Sequence, residues 1–153
     1  MNGEHVEVVK QGAAALSQWR DGHPDITLDL EGADLAGLDL SAIRLRGANL
    51  RGVNLVGAKL TRATFAEAIL ESADLSDADL GNVSFARADL SDADLTNTNL
   101  FWADLKWAQL GKATLRQSRA VRASFMNAEL TGADLSQSTM LEVDLRNANL
   151  SGA

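Results

Sequence analysis

The chain of 153 residues has no cysteine, a single proline at Pro24 and only two histidines, His5 and His23. Without cysteine there is no disulfide frame and no thiolate metal site. Histidines confined to the first 23 residues leave the many Ser and Asp residues beyond them without a catalytic base, so a Ser-His-Asp arrangement has no support. No apolar run approaches the roughly 20 residues needed to span a bilayer as a helix. The first five residues, Met1-Asn2-Gly3-Glu4-His5, are not basic, and no signal-peptide apolar core follows them. A cytoplasmic protein is the expectation. A net charge of -7 argues against a general nucleic-acid binder. No phosphate-binding glycine loop or zinc-ligand spacing occurs. The sequence therefore points away from an enzyme, with no catalytic residue, cofactor or metal ligand to name.

A five-residue phrase fills most of the chain. It is clearest in Ser72-Ala73-Asp74-Leu75-Ser76-Asp77-Ala78-Asp79-Leu80, where Ala-Asp-Leu-x-x is repeated. Every fifth position from Leu30 to Leu150 is Leu or Phe, except Ala120 and Met140. Two residues before each site stands a small or aliphatic residue, such as Ala33, Ala48, Ala73, Ala88, Ala103 or Ala133. The residue between is mostly polar: Asp34, Asn49, Asp74, Asp94, Asp104, Asp144.

A spacing of five fits neither regular element. On a helix it advances each side chain by about 500°, scattering the leucines over all faces. On a straight strand an odd spacing alternates them between faces. The leucines become equivalent only if the chain turns once per repeat, so that each points to a common axis. The expected fold is an all-β solenoid. Gly37, Gly47, Gly52, Gly57 and Gly132 lie two residues after the leucine, where the chain must turn.

These residues resemble the pentapeptide repeat family, whose pattern is Ala-(Asp/Asn)-Leu-x-x, over roughly residues 26 to 153. The resemblance implies a right-handed quadrilateral β-helix of four repeats and twenty residues per coil. On that period Phe65, Phe85, Leu105 and Phe125 form one interior column, and Ala120 and Met140 share another. Residues 25–153 then make about six coils.

Residues 1–24 have a different texture. Val6, Val9, Ala13, Leu16 and Trp19 recur at helical spacing, and Arg20-Asp21-Gly22 followed by Pro24 is a helix stop. One amphipathic helix over about residues 4 to 20 is expected to cover the open end of the first coil. A membrane-surface helix is the other reading, but Lys10 and Arg20 are too few for it. His23 is expected to be a solvated turn residue.

Charge on the ladder is banded. Residues 41 to 66 carry Arg44, Arg46, Arg51, Lys59 and Arg62 and no acid. Residues 67 to 94 form an acidic belt that includes Glu71, Asp74, Asp77, Asp79, Asp92 and Asp94, with only Arg87 opposed. Lys106, Lys112, Arg116, Arg119 and Arg122 follow without an acid. Neighbouring belts of opposite sign attract, which is the plain reading; a basic partner on the acidic belt is the functional one. A calcium site on stacked aspartates lacks the glycine-rich nonapeptide of calcium-binding rolls.

The outward-facing positions include Phe101, Trp102 and Trp107. One coil on from Phe101 is Val121, and the next brings Leu141; Arg122 falls one coil from Trp102. Such a corner either docks a protein partner or lies flat over neighbouring coils. A non-enzymatic scaffold or protein-interaction module with an unknown protein partner is the leading expectation. Family resemblance implies an alternative: some members imitate duplex DNA and protect DNA gyrase, a type II topoisomerase, from quinolones. Against it, the charge here is banded, no loop projects from the ladder, and no dimerisation helix follows the repeats. Met140, Leu145 and Leu150 would show on the last coil, where a weak end-to-end homodimer is expected.

Overall fold

The computed structural model describes all 153 residues, and the residues after Pro24 form a four-sided β-solenoid. The twenty-residue period is explicit in the backbone. Parallel bridges join Asp29 to Asn49, Asp34 to Asn54, Asp39 to Lys59 and Arg44 to Thr64, and the series runs on to Glu129 and Asn149. Each side of the coil carries one bridge, too short to be a conventional strand, so the solenoid has no extended sheet.

Three features of the phrase build one side and one corner. The Leu or Phe points inward with the small residue two before it. Leu30 to Leu130 along the fives are buried throughout, Ala120 included. The polar residue between them bends the chain: the Asp74 carboxylate accepts the Ser76 backbone N–H at 3.0 Å, and Asp94 accepts that of Thr96 at 2.8 Å. Asp79, Asn54 and Asp134 do the same for the residues two on. This is the Asx turn, and it explains why Asp and Asn occupy this position. The residue two after the leucine then adopts the left-handed conformation. All twenty-five such corners, from Gly32 to Gly152, have positive φ; seven are glycine and eighteen are not. None of the eighteen is β-branched, the class for which that region is most strained.

Neighbouring coils are joined by backbone hydrogen bonds on every side, as from Leu75 N–H to the Asp94 carbonyl at 2.8 Å and from Asp74 N–H to the Val53 carbonyl at 2.9 Å. Amide side chains add outer rungs: Asn54 donates to Asp34 at 3.0 Å and Asn99 to Asp79 at 2.8 Å. In the expected interior column the Phe65 and Phe85 rings stack with centroids 5.2 Å apart. Phe125 is equally buried. The inward positions are less covered on the last coil, where Leu135, Met140, Val143, Leu145 and Ala148 are only partly buried.

The start of the chain differs from the expectation. Two helices form instead of one: α1, Gly3–Lys10, and α2, Ala13–Gly22. Gly12 separates them with φ 91°, a conformation that no helix continues through. The expected apolar face is nevertheless turned to the end of the core: Val6, Val9 and Leu16 are buried, with Val8 beside them, and Ala13 and Trp19 are partly buried against it. The Asn2 side chain caps α1 by accepting the Glu4 N–H at 3.0 Å. His23 is a correction to the sequence reading. Its ring stacks on Trp19 at 4.2 Å, and its Nδ1 lies 2.8 Å from the Trp19 carbonyl. It secures the end of α2 instead of standing free in water.

Candidate protein-interaction surface

Trp102 and Trp107 occupy consecutive corners of one coil and flank the side that bears Asp104. Each is 50 % exposed, and Phe101 beside them is 41 % exposed. Both tryptophans have positive φ, 59° and 63°. The equivalent corners elsewhere are mostly Gly, Asn, Asp or another polar residue. A left-handed non-glycine residue costs roughly 1–2 kcal/mol. The solenoid therefore carries two bulky aromatics where glycine would fold more easily.

The aromatics do not lie loosely. Phe101 meets Trp102 edge to face, with ring centroids 6.0 Å apart. The Arg122 guanidinium, one coil on, sits 5.2 Å over the Trp102 ring. Glu142, a further coil on, fixes that guanidinium from the other side: Arg122 Nε donates to Glu142 Oε2 at 2.6 Å. The hydrogen bond from Arg122 holds the Glu142 carboxyl below its ordinary range and raises the Arg122 pKa in return. The corner thus presents a rigid aromatic platform with a braced cation. Leu141, 61 % exposed, ends the column begun by Phe101, and Val121 between them is half-buried. Of the six residues of the expected patch, Phe101, Trp102 and Arg122 are in mutual contact, while Trp107 stands at the next corner and Val121 and Leu141 continue the Phe101 column.

The acidic belt is less available than its sequence suggests. Glu71 is paired with Arg51 at 2.6 Å, and Asp77 accepts from Asn97 at 2.6 Å. Asp74, Asp79 and Asp94 are engaged in corner turns. Asp92 alone of the six makes no side-chain hydrogen bond or ion pair with the protein. Cationic and acidic belts also join directly, as at Arg46–Glu67, 2.7 Å. On the last coil Met140 and Leu145 are half-buried and Leu150 is 39 % exposed.

No group of three or more His, Asp or Glu side chains is arranged to hold a metal ion, and no helix is long and apolar enough to cross a membrane. The surface hollows of the molecule all adjoin the helical cap. The sequence reading missed that junction, because its residues are brought together from the cap and the ladder without a shared period.

A solenoid of short sides repeating every five residues, four to a coil, defines a repeat protein. The pentapeptide repeat profile matches residues 29–66, 68–106, 103–140 and 128–153, and the chain belongs to that family. Its coil is accordingly a right-handed β-helix. Among solved structures it resembles HetL, a pentapeptide repeat protein involved in heterocyst differentiation regulation from the cyanobacterium Nostoc sp. strain PCC 7120. The two are 31% identical with a TM-score of 0.80, over 84% of this chain and 60% of HetL. The chain thus spans less than two thirds of HetL's length. A pentapeptide repeat protein of the Arabidopsis thaliana thylakoid lumen is 37% identical over 66% of this chain and 67% of its own, with a TM-score of 0.36. QnrB1, a plasmid-mediated fluoroquinolone resistance protein, is 22% identical over 82% of this chain and 76% of its own, with a TM-score of 0.48. No curated protein sequence matches the chain.

Proposed function

We propose that the protein is a non-enzymatic interaction module that docks a protein partner on the corner formed by Phe101, Trp102, Trp107 and Arg122. The observation that carries this reading is the pair of half-exposed tryptophans held at left-handed corners. Aromatic and arginine side chains on a rigid support are the groups that most often dominate binding energy at protein interfaces. A regulatory role, as named for HetL, is one that such a module serves. The test is co-purification from the native cell with the wild type and with Trp102→Gly/Trp107→Gly. Glycine suits both corners, so the variant folds and isolates the loss of the aromatic surface. The expected result is loss of specific partners; an identical partner set would remove this corner from consideration.

The alternative, a DNA-like rod for a type II topoisomerase, depends on free and continuous negative charge. Five of the six belt carboxylates are tied up with the protein's own groups, and cationic belts interrupt the acidic one. A gyrase supercoiling assay at micromolar protein, with and without quinolone, is expected to show neither inhibition nor protection. Either effect would favour the alternative. A second copy docking end to end against Met140, Leu145 and Leu150 is proposed as a separate, weak contact, since one coil end is small for a stable interface. Sedimentation over a range of concentrations is expected to show a dimer that Leu150→Lys dissociates; a monomer at all concentrations would exclude it.

A further inference from the structure

The cleft between α2 and the first coil is built unlike the rest of the surface. It is a half-open hollow of about 360 Å³, within the size range of small-molecule sites. Leu16 and Ala42 contribute apolar wall, and Arg20, Arg44, Ser17 and Asp21 bring polar groups to it. The protein has fourteen Lys and Arg residues, and eight of them form ion pairs. Arg20 and Arg44 are among the six that do not, although Asp21 lines the same cleft. Neither guanidinium donates a hydrogen bond to the protein. The Nε of Arg20 is moreover closed off from solvent with no acceptor. A donor so closed off carries a desolvation cost until an acceptor reaches it, which here requires the Arg20 side chain to turn toward the cleft.

We propose that this cleft binds a small oxyanion, a carboxylate or a phosphate, between the guanidinium groups of Arg20 and Arg44. The arginine fork matches both chemistries, since each offers two oxygens to parallel N–H donors. Ser17 adds a hydroxyl donor beside them. The apolar wall accommodates a short organic body attached to the anionic group. Asp21 limits affinity by repulsion and favours anions of low charge. Arg62, one coil beyond Ala42, also lacks an ion pair and adds to the positive local potential. The site lies at the opposite end of the solenoid from the last coil and is independent of the aromatic corner.

The experiment follows the Arg20 Nε–H signal by NMR while inorganic phosphate, acetate or chloride is added at matched ionic strength. A saturable shift with phosphate or acetate, absent with chloride, is expected; the stronger of the two arms identifies the chemistry. Arg44→Gln, on an exposed side chain, should weaken binding about tenfold or more while leaving the helical circular dichroism of the cap intact. Asp21→Asn should strengthen binding. A chloride response equal to the others, or affinity unchanged in Arg44→Gln, would overturn the proposal.

Discussion

The backbone N–H of Asp29 donates to Nδ1 of His5 at 2.9 Å, across 24 residues of sequence. This bond ties α1 to the first side of the solenoid. In this bond the Nδ1 lone pair of His5 is the acceptor. His5 is buried beneath the cap, and the Trp19 ring meets it edge-on at 5.3 Å. Trp19 in turn donates from Nε1 to Glu4 at 3.0 Å, closing the two helices on each other. Asn2 completes the seam with a backbone bond to the Asp29 carbonyl at 3.1 Å.

Replacing His5 with Phe keeps a ring in place and removes the acceptor. The Asp29 N–H is then left unpaired beneath the cap, at a cost of about 1–3 kcal/mol. Thermal unfolding should show a lowered midpoint, and amide exchange should quicken in α1 and at Asp29 before the middle coils. An unchanged midpoint would mean that the cap is held by apolar packing alone.

The middle of the ladder should be far less tolerant. Leu90 is fully buried between Leu70 and Leu110 of the adjoining coils. Leu90→Asp places a carboxylate there with no cation to meet it, and the expected loss is about 4 kcal/mol or more. Circular dichroism melts provide the measurement. A cooperative transition near that of the wild type would contradict the inward orientation of the fives.

The corners predict unequal outcomes for two substitutions. Gly57 has φ 63° with nothing within 4 Å of an added Cβ, so conformation alone decides its replacement. Gly57→Val should destabilise by about 1–3 kcal/mol. Lys112 has φ 57° and no ion pair. Lys112→Gly relieves the left-handed strain and loosens the unfolded chain by a similar amount, so the change should stay within about 1 kcal/mol of zero. Urea midpoints of the two variants distinguish this from a general intolerance of substitution at corners.

Acid should loosen the last coil through Asp144. The hydrogen bond from the Arg146 side chain, with help from the Arg146 backbone N–H, lowers the Asp144 pKa from 3.8 to about 2. Arg146 Nη2 lies 2.8 Å from Asp144 Oδ2. A carboxylate whose folded-state pKa is depressed stabilises the fold above its unfolded value and loses that contribution as pH falls through the folded one. The difference in melting temperature between wild type and Asp144→Asn should therefore be constant at neutral pH, shrink below the ordinary value of 3.8, and vanish near 2. A difference that persists in strong acid would show that the Asn side chain acts by another route.

Much of the ladder is legible in the sequence. The period of five, the inward leucines and the turn at the second residue after each leucine all follow from chemistry that acts within a few residues. Asp74 shows why: its carboxylate reaches only as far as the Ser76 N–H, so the sequence signal and the contact span the same short stretch. Repetition then multiplies a weak local preference into one architecture. The contact of Arg122 with Trp102 was also readable, through the twenty-residue coil that the family resemblance implies.

The cap and its junction depended on tertiary structure. Helical spacing through residues 6 to 19 continues across Gly12, so periodicity alone joined two helices that a single left-handed residue separates. His5 and His23 found their partners in Asp29 and Trp19, and Arg20 came to face the same cleft as Arg44. None of these pairings repeats along the chain. Where contacts recur at a constant offset, composition and spacing determined the structure; where each contact occurs once, it was decided only by the packing of one element against another.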